Sequence, residues 1–368
     1  MIGSRVTVKI DRPLGSYHPK HKDIFYPINY GYIEGIMAPD GEEQDAYILG
    51  VDEPVEEFTG VVIAIIHRYD DVEEKWVVAP ENMIFSKEEI EKQVHFQEQY
   101  FNSEIRMMQV PSKIKSLIAN KPYTVDDVGM SGNQVLIFED MVLKIEGDSE
   151  SVRKQVQIMR WCEGKITVPR VLEYEEENGK CYLLMSRIDG KMSCDEYYLE
   201  NSDILLKALA DGLKKLWKVD ISGCPVVRDL DVVLTEARQR VENNLVDVDN
   251  VEPETFGENG FESPRHLLEW LENNRPAFEP VFSHGDYCLP NIFLEDEQVS
   301  GFIDLGRAGV GDKWNDIALC YRSLKHNFSG MYGGKRYEDF NPDKLFEALG
   351  IEPDWEKIRY YLLVDELF

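Results

Sequence analysis

Cysteine is missing from the first 161 residues. All six thiols, at positions 162, 181, 194, 224, 288 and 320, lie beyond that point with neither a CxxC pair nor metal-ligand spacing. This pattern argues against a disulfide-stapled fold and a thiolate metal centre, and it predicts free thiols in a reducing compartment. Long hydrophobic runs are also missing. The longest aliphatic stretch, residues 61–66, is far short of the roughly 20 residues that a membrane helix needs. The opening MIGSRVTVKIDRP carries no apolar signal core, so the expectation is a cytoplasmic protein without a membrane partner. Positive charge is scarce as well: 40 Lys and Arg face 69 Asp and Glu, for a formal net charge of −29. Residues 1–108 carry 10 basic and 21 acidic side chains and the remainder 30 and 48, so both parts are acidic. This acidity argues against a nucleic-acid backbone as partner. Metal ions or a cationic small molecule suit such a surface, as does plain solvation.

What is present is organised around residues 282–304, FSHGDYCLPNIFLEDEQVSGFID. Asp286 follows His284-Gly285, Asn291 comes five residues later, and Asp304 ends the next apolar strand. Phosphoryl transfer from a nucleotide needs one carboxylate to orient the attacking hydroxyl, and an amide and a second carboxylate to hold the bridging metal. The tripeptide alone also fits a satisfied turn histidine beside two N-capping carboxylates. Asp316, twelve residues after Asp304, is expected to cap or brace this loop without touching substrate.

Upstream, Gly129-Met130-Ser131-Gly132 sits between apolar stretches, a turn that can lay backbone N–H groups and the Ser131 hydroxyl over phosphates. Lys144 ends the apolar run of residues 141–143, where it can reach phosphates or snorkel to water. Residues 149–163 have helical spacing and residues 166–171 begin a strand region. Residues 182–188 resemble a linker between two lobes, where adenine would meet backbone groups near Ser186 and Ile188. Helices are predicted over residues 204–219, 232–244, 264–273 and 354–368, with an acidic, Gly/Pro-punctuated loop at 247–259.

The first hundred residues read as short strands (6–10, 24–33, 46–50, 60–67 and 76–79) and a helix over 86–101 opened by a Ser86/Glu89 capping box, together a small barrel closed by a helix. Asp40, Glu42 and Asp45 share one turn, and Asp70, Asp71 and Glu73 another beside Lys75. Carboxylates converging from two turns suit divalent metals, with Arg12 and Tyr30 able to join, and acidic residues also populate hairpin turns for their own sake. Pro111 breaks the pattern and Ser112 can start a new helix, so the boundaries are drawn at 1–108, 109–188 and 189–368.

Two resemblances rest on these residues. Through IDRP, FYPINYGYI, PDGEEQDAYILG and DDVEEKWVVAP, residues 5–105 resemble a soluble inorganic pyrophosphatase of the β-barrel (OB-like) kind. That resemblance implies Arg12, Tyr30, Lys75 and Tyr100 on phosphate, Asp40, Glu42, Asp45, Asp70 and Glu73 on Mg2+ or Mn2+, and diphosphate as substrate. Glu42 stands where the family has aspartate, and Phe101 stands where a lysine usually follows the helix tyrosine.

Through CEGKITVPRVL, the VFSHGD…NIF loop, VSGFIDLGRAGVGDKWNDIALCYRS and GIEPDWEKIRYYLLVDELF, residues 115–368 resemble the aminoglycoside 3′-phosphotransferases. This second likeness implies an α+β, two-lobed, protein-kinase-like fold that moves the γ-phosphate of ATP to an aminoglycoside hydroxyl and confers resistance. Asp286 would be the catalytic base, Asn291 and Asp304 would hold Mg2+, and Lys144, Ser131 and Arg307 would meet ATP. Glu254, Asp365, Glu366 and the Phe368 carboxylate would face the cationic antibiotic. Gln155 occupies the position of the glutamate that pairs with the strand lysine, Val142 that of an adenine-stacking aromatic, and Leu289 a loop site acidic in close relatives. The expectation is a multidomain fusion enzyme. The alternative is a non-catalytic phosphate- or metal-binding barrel beside a kinase half that is weakened or acts on another cationic small molecule.

Overall fold

A computed structural model describes residues 2–368 except 39–40, 72–73, 82, 84, 108–109, 120, 122, 126–133, 148–149, 258–259 and 333. The chain divides into two compact units, Met1–Asp148 with Leu172–Met185, and Ser149–Val171 with Ser186–Phe368.

In the first unit, β1 (Arg5–Arg12), β2 (Asn29–Met37), β3 (Glu43–Ile48), β4 (Glu57–Arg68) and β5 (Glu74–Ala79) form a sheet in the order β1-β2-β3-β5-β4. A further β1–β4 pairing, from Arg5↔Val61 to Lys9↔Glu57, closes it into a barrel. Helix α1 (Lys87–Glu98) starts at the predicted capping box, with Ser86 Oγ accepting from the Glu89 N–H and the Glu89 carboxylate accepting from the Ser86 N–H. Its Ile90 and Val94 pack into the aromatic core of Tyr26, Tyr30 and Tyr47. Strand β6 (Ser103–Met107) then extends the sheet beyond β4. The aromatic run at 24–28 is no strand: Phe25 makes only an isolated bridge to Tyr17, and regular pairing begins at Asn29. Pro27 interrupts it, because proline has no N–H for a ladder.

After α2 (Ser112–Ile118) come β7 (Tyr123–Val125), β8 (Gln134–Phe138) and β9 (Met141–Gly147). With β10 (Val171–Glu177) and β11 (Lys180–Ser186) they make a five-stranded sheet in the order β10-β11-β9-β8-β7. Leu136, Phe138, Leu143, Ile145, Tyr182 and Leu184 form its core with Ile114 of α2. Residues 166–170 are not a strand. Pro169 removes a donor from that stretch, and the ladder starts only at Val171.

The second unit begins with α3 (Glu150–Cys162) and continues after the sheet through β12 (Lys191–Met192), α4 (Glu196–Glu200), α5 (Ser202–Trp217), α6 (Leu230–Glu242) and α7 (Pro264–Asn273). Next come β13 (Pro280–Ser283), the β14 (Ile292–Glu295) and β15 (Gln298–Phe302) hairpin, β16 (Gly309–Asp312), α8 (Lys313–Ser329), α9 (Lys344–Leu349) and α10 (Trp355–Asp365). Helix α5 buries Leu205, Leu206, Leu209, Leu213 and Leu216, the stripe expected from its spacing. Among the described residues no helix is long and apolar enough to cross a membrane.

Glu279 ties the entry of β13 to two helices. Its carboxylate accepts from Lys313 (2.5 Å) and Lys357 (2.8 Å) and from the Trp314 indole (3.0 Å). The lysine hydrogen bonds, Lys313 first, pull this carboxyl down to about 2 from an ordinary 4.5. Folding therefore favours the ionised form. The resulting stabilisation is present above the unfolded value and is lost as pH falls through the folded one. Glu279→Gln is expected to lower the melting temperature at pH 7, and the difference from wild type to shrink steadily between about pH 4.5 and pH 2. Partial exposure of the carboxylate screens the pair and keeps the shift to a few degrees.

Candidate active site

Strand β13 pairs antiparallel with β16, Ser283 opposite Gly309, and delivers the chain into His284-Gly285-Asp286. Asp316, fully buried on the first turn of α8, organises this loop. One of its oxygens accepts from Ser283 Oγ (2.9 Å) and the Gly285 N–H (2.9 Å), the other from the His284 N–H (2.8 Å). Burial raises the Asp316 carboxyl above its usual range, against the pull of these donors. The buried His284 ring is engaged at both nitrogens. Nδ1 accepts from the Asp286 N–H (3.3 Å), so Nε2 carries the proton and donates to the Ile303 carbonyl (2.9 Å). The histidine is thus a satisfied turn residue that joins the loop to the end of β15. Gly285 has φ +80°, and an added Cβ would collide with the Arg307 backbone, so only glycine fits there.

Asp286 caps no helix. Its carboxylate accepts from Asn291 Nδ2 (2.9 Å), which also bonds the Asp286 carbonyl (3.0 Å). With the amide nitrogen so engaged, Asn291 turns its carbonyl oxygen away from Asp286. A short 3-10 turn at Leu289–Asn291 sets this geometry, held by Ser323 Oγ accepting from the Leu289 N–H (3.0 Å) and Ser193 Oγ donating to the Leu289 carbonyl (2.8 Å). The Ile303 N–H donates to the Asn291 carbonyl (2.9 Å), so the segment that leaves β15 at Phe302 and carries Asp304, expected at the strand's end but lying just beyond it, is fastened to the loop carrying Asp286. Asp304 itself is exposed and left-handed, at φ +59°.

A second layer surrounds the loop with arginines. Arg307 donates to Asp365 (2.6 Å), and its guanidinium lies 5.1 Å from the Phe368 ring. Arg322 on α8 pairs with Asp365 and reaches Glu366 (3.3 Å). Arg240 bonds the carbonyls of Leu367 and Phe368, both at 2.8 Å. Burial works against the Arg307 charge, but Asp365 and then Asp286 overcome it and hold the guanidinium above its ordinary value. Burial also opposes ionisation of Asp365, and Arg307 and Arg322 outweigh it, keeping this carboxyl below the usual range. Burial raises the neighbouring Glu366. Sequence reasoning missed Arg322, Arg240 and the His326–Glu252 pair (2.7 Å), which faces the same network through the Glu252 N–H bond to Glu366 (3.0 Å). A signal existed on α8. Asn315 with Arg322, and Asp316 with Ser323, are polar pairs seven residues apart, which puts each pair on one helix face.

The remaining predicted residues are more scattered. Lys144 stands in β9 opposite Val135, and Ser131 lies outside the described residues. The Ser186 N–H donates to the Arg170 carbonyl (2.9 Å) and its hydroxyl accepts from the Arg170 N–H (2.9 Å). Ile188 is buried. Gln155 is buried in α3, and Glu150 pairs with Lys154 (3.0 Å). Glu254 is exposed in the acidic loop.

In the barrel, Asp45 accepts from the Tyr30 hydroxyl (2.5 Å) and pairs with the buried Lys75. Arg12 lies 5.3 Å from the Tyr30 ring and bonds Asp11 (2.7 Å). Burial, then the Asp45 charge, pushes the Tyr30 phenol well up. Arg12, Tyr30, Asp45 and Lys75 are therefore brought together. Asp70 instead accepts from the Asn102 N–H (3.0 Å), Glu42 is exposed, and Tyr100 is exposed after α1. Asp40 and Glu73 lie outside the described residues, and among those described no three acidic, His or Cys side chains are grouped to hold a metal ion.

A five-stranded sheet, a helical unit, and a braced Asp286–Asn291 loop followed by Asp304 define a kinase-like phosphotransferase fold. Residues 127–361 match the phosphotransferase enzyme family. Over 273 residues the chain is 40% identical to an aminoglycoside 3′-phosphotransferase of Enterococcus faecalis, covering 71% of this chain and 99% of that protein. It is 39% identical over 272 residues to the Staphylococcus aureus protein of the same name, with the same coverage. A solved aminoglycoside phosphotransferase from Streptomyces rimosus, in complex with ADP and streptomycin, superposes with a TM-score of 0.57 at 25% identity, over 71% of this chain and 99% of that one. The chain belongs to the phosphotransferase enzyme family.

Proposed function

We propose that this protein transfers the γ-phosphate of ATP to the 3′-hydroxyl of an aminoglycoside and so confers resistance to it. The observation that carries the reading is the Asp286–Asn291 hydrogen bond inside a loop braced by Asp316, in a chain 40% identical to an aminoglycoside 3′-phosphotransferase. Asp286 orients the attacking hydroxyl and accepts its proton. Asn291, whose amide nitrogen is engaged by Asp286, offers a carbonyl oxygen, and Asp304 offers an exposed carboxylate. Two hard oxygen donors fit Mg2+. When bound, that ion would neutralise phosphate charge. As the resemblance implies, Lys144 and Ser131 would meet the nucleotide phosphates and Ser186 and Ile188 its base, while Arg307 braces the loop beside Asp286. Glu254, Asp365, Glu366 and the Phe368 carboxylate receive the substrate's ammonium groups, with Arg307 and Arg322 holding Asp365 in place and ionised.

The test is ATP-dependent phosphorylation of kanamycin, with the product's phosphate located by NMR. Turnover of kanamycin and none of its 3′-deoxy analogue is expected, and equal turnover of both would reject the 3′ assignment.

For the barrel, Tyr30 and Lys75 meeting at Asp45, with Arg12 beside the Tyr30 ring, support a diphosphate-binding, pyrophosphatase-like module. Wild type should release phosphate from diphosphate with Mg2+ or Mn2+, and Asp45→Ala should not. Equal release by both would mean that the barrel is no hydrolase.

A further inference from the structure

A second concavity of about 570 Å³ opens in the helical unit, between the end of α5, the loop after α3 and strand β15. Its lining includes Lys165, Lys215 and Lys218, with Asp220 the one carboxylate, over an apolar floor that includes Val219 and Val299. Its volume is that of a small-molecule site. Its charge runs against the molecule. In a chain of net charge −29, three ammonium groups and one carboxylate give this hollow a formal +2. Lysines near a helix C-terminus complement the helix dipole, which accounts for Lys215 and Lys218. It does not account for Lys165, which arrives from another element. Lys165 Nζ donates to the Trp161 carbonyl (2.6 Å) and lies 4.3 Å from that ring, and Lys215 Nζ donates to the Val299 carbonyl (3.2 Å). Both donate to neutral partners, and Asp220 is the one carboxylate of the lining that offsets part of their charge. Among the described residues, none of the three lysines forms a salt bridge.

We propose that this cavity binds a phosphate monoester with an apolar body. The dianionic head matches the +2 lining, lysine ammonium groups being point-charge ligands for phosphate, and the body covers the aliphatic floor. A neutral apolar molecule would leave the lysines without a counter-charge, and a cation would be repelled.

The test is calorimetric titration of the full chain with 1-naphthyl phosphate, under saturating ADP and Mg2+ so that the nucleotide site is filled. One saturable site is expected. Combining Lys165→Gln with Lys218→Gln should weaken it by about tenfold or more, since each lost charged contact is worth a factor of several. Asp220→Asn should tighten it, and 1-naphthol should bind wild type far more weakly. The substituted lysines are exposed, so an unchanged melting temperature serves as the folding control. Absence of saturable binding by wild type, or binding that the double lysine substitution leaves unchanged, overturns the proposal.

Discussion

Asp286→Asn is expected to lower kcat/KM for aminoglycoside phosphorylation by about 10²–10⁴, the usual contribution of a positioned general base. That loss corresponds to roughly 3–5 kcal/mol of transition-state stabilisation. The substitution is chosen because it keeps the loop. An asparagine at this position can turn its carbonyl oxygen toward Asn291 Nδ2 and preserve the 2.9 Å hydrogen bond, while it can no longer accept a proton. The melting temperature and the KM for ATP should therefore stay close to wild type while kcat collapses. Steady-state kinetics at several ATP concentrations separate the two. A kcat within about tenfold of wild type would remove Asp286 from the proton-accepting role, because a base is worth more than that.

Asp316→Ala is expected to have the largest effect on stability. The carboxylate is fully buried and receives three donors, the Ser283 hydroxyl and the N–H groups of His284 and Gly285. Truncation leaves these donors inside the protein without their acceptor. Each buried donor left unsatisfied costs about 1–3 kcal/mol, so even the lower end of that range gives about 3 kcal/mol. In a unit of this size that lowers the melting temperature by roughly 6–12 °C. Activity should fall as well, because the same three donors fix the strand leading to Asp286. Asp316→Asn keeps one acceptor oxygen, and it also relieves the burial that disfavours the aspartate charge. It should recover part of the lost stability. Thermal unfolding of the three proteins checks this order. An alanine variant as stable as wild type would show that the loop does not depend on its brace.

These two residues also show how far the sequence could be read. The order and spacing of Asp286, Asn291 and Asp304 were legible because their relation is local, a five-residue loop and one hairpin, whereas the left-handed turn that requires glycine at 285 appears only in the structure. The capping box at Ser86 and Glu89 was legible for the same reason, since both partners lie within one helical turn. The strand regions expected at 24–33 and 166–171 begin only at Asn29 and Val171, because the donors missing at Pro27 and Pro169 outweigh the apolar composition of the residues before them. Closure of the barrel depends on β1 meeting β4 across some fifty residues, and no pattern within either strand announces that partner.

The sequence by itself set the order and spacing of Asp286, Asn291 and Asp304, the side chains proposed for phosphoryl transfer, because residue type and short spacing are local properties. It also set the acidity of both parts of the chain. Only the tertiary structure decided how the acids of the C-terminus are held. Arg240, Arg307 and Arg322 come from α6, the segment after β15 and α8 to meet residues 365–368. Whether Asp365 is an open charge or one already balanced by two guanidinium groups depends on burial and on distances between elements far apart in the chain. The lysine hollow has the same origin: three cations unremarkable in sequence become one positive site only where a helix end, a loop and a strand are folded around it.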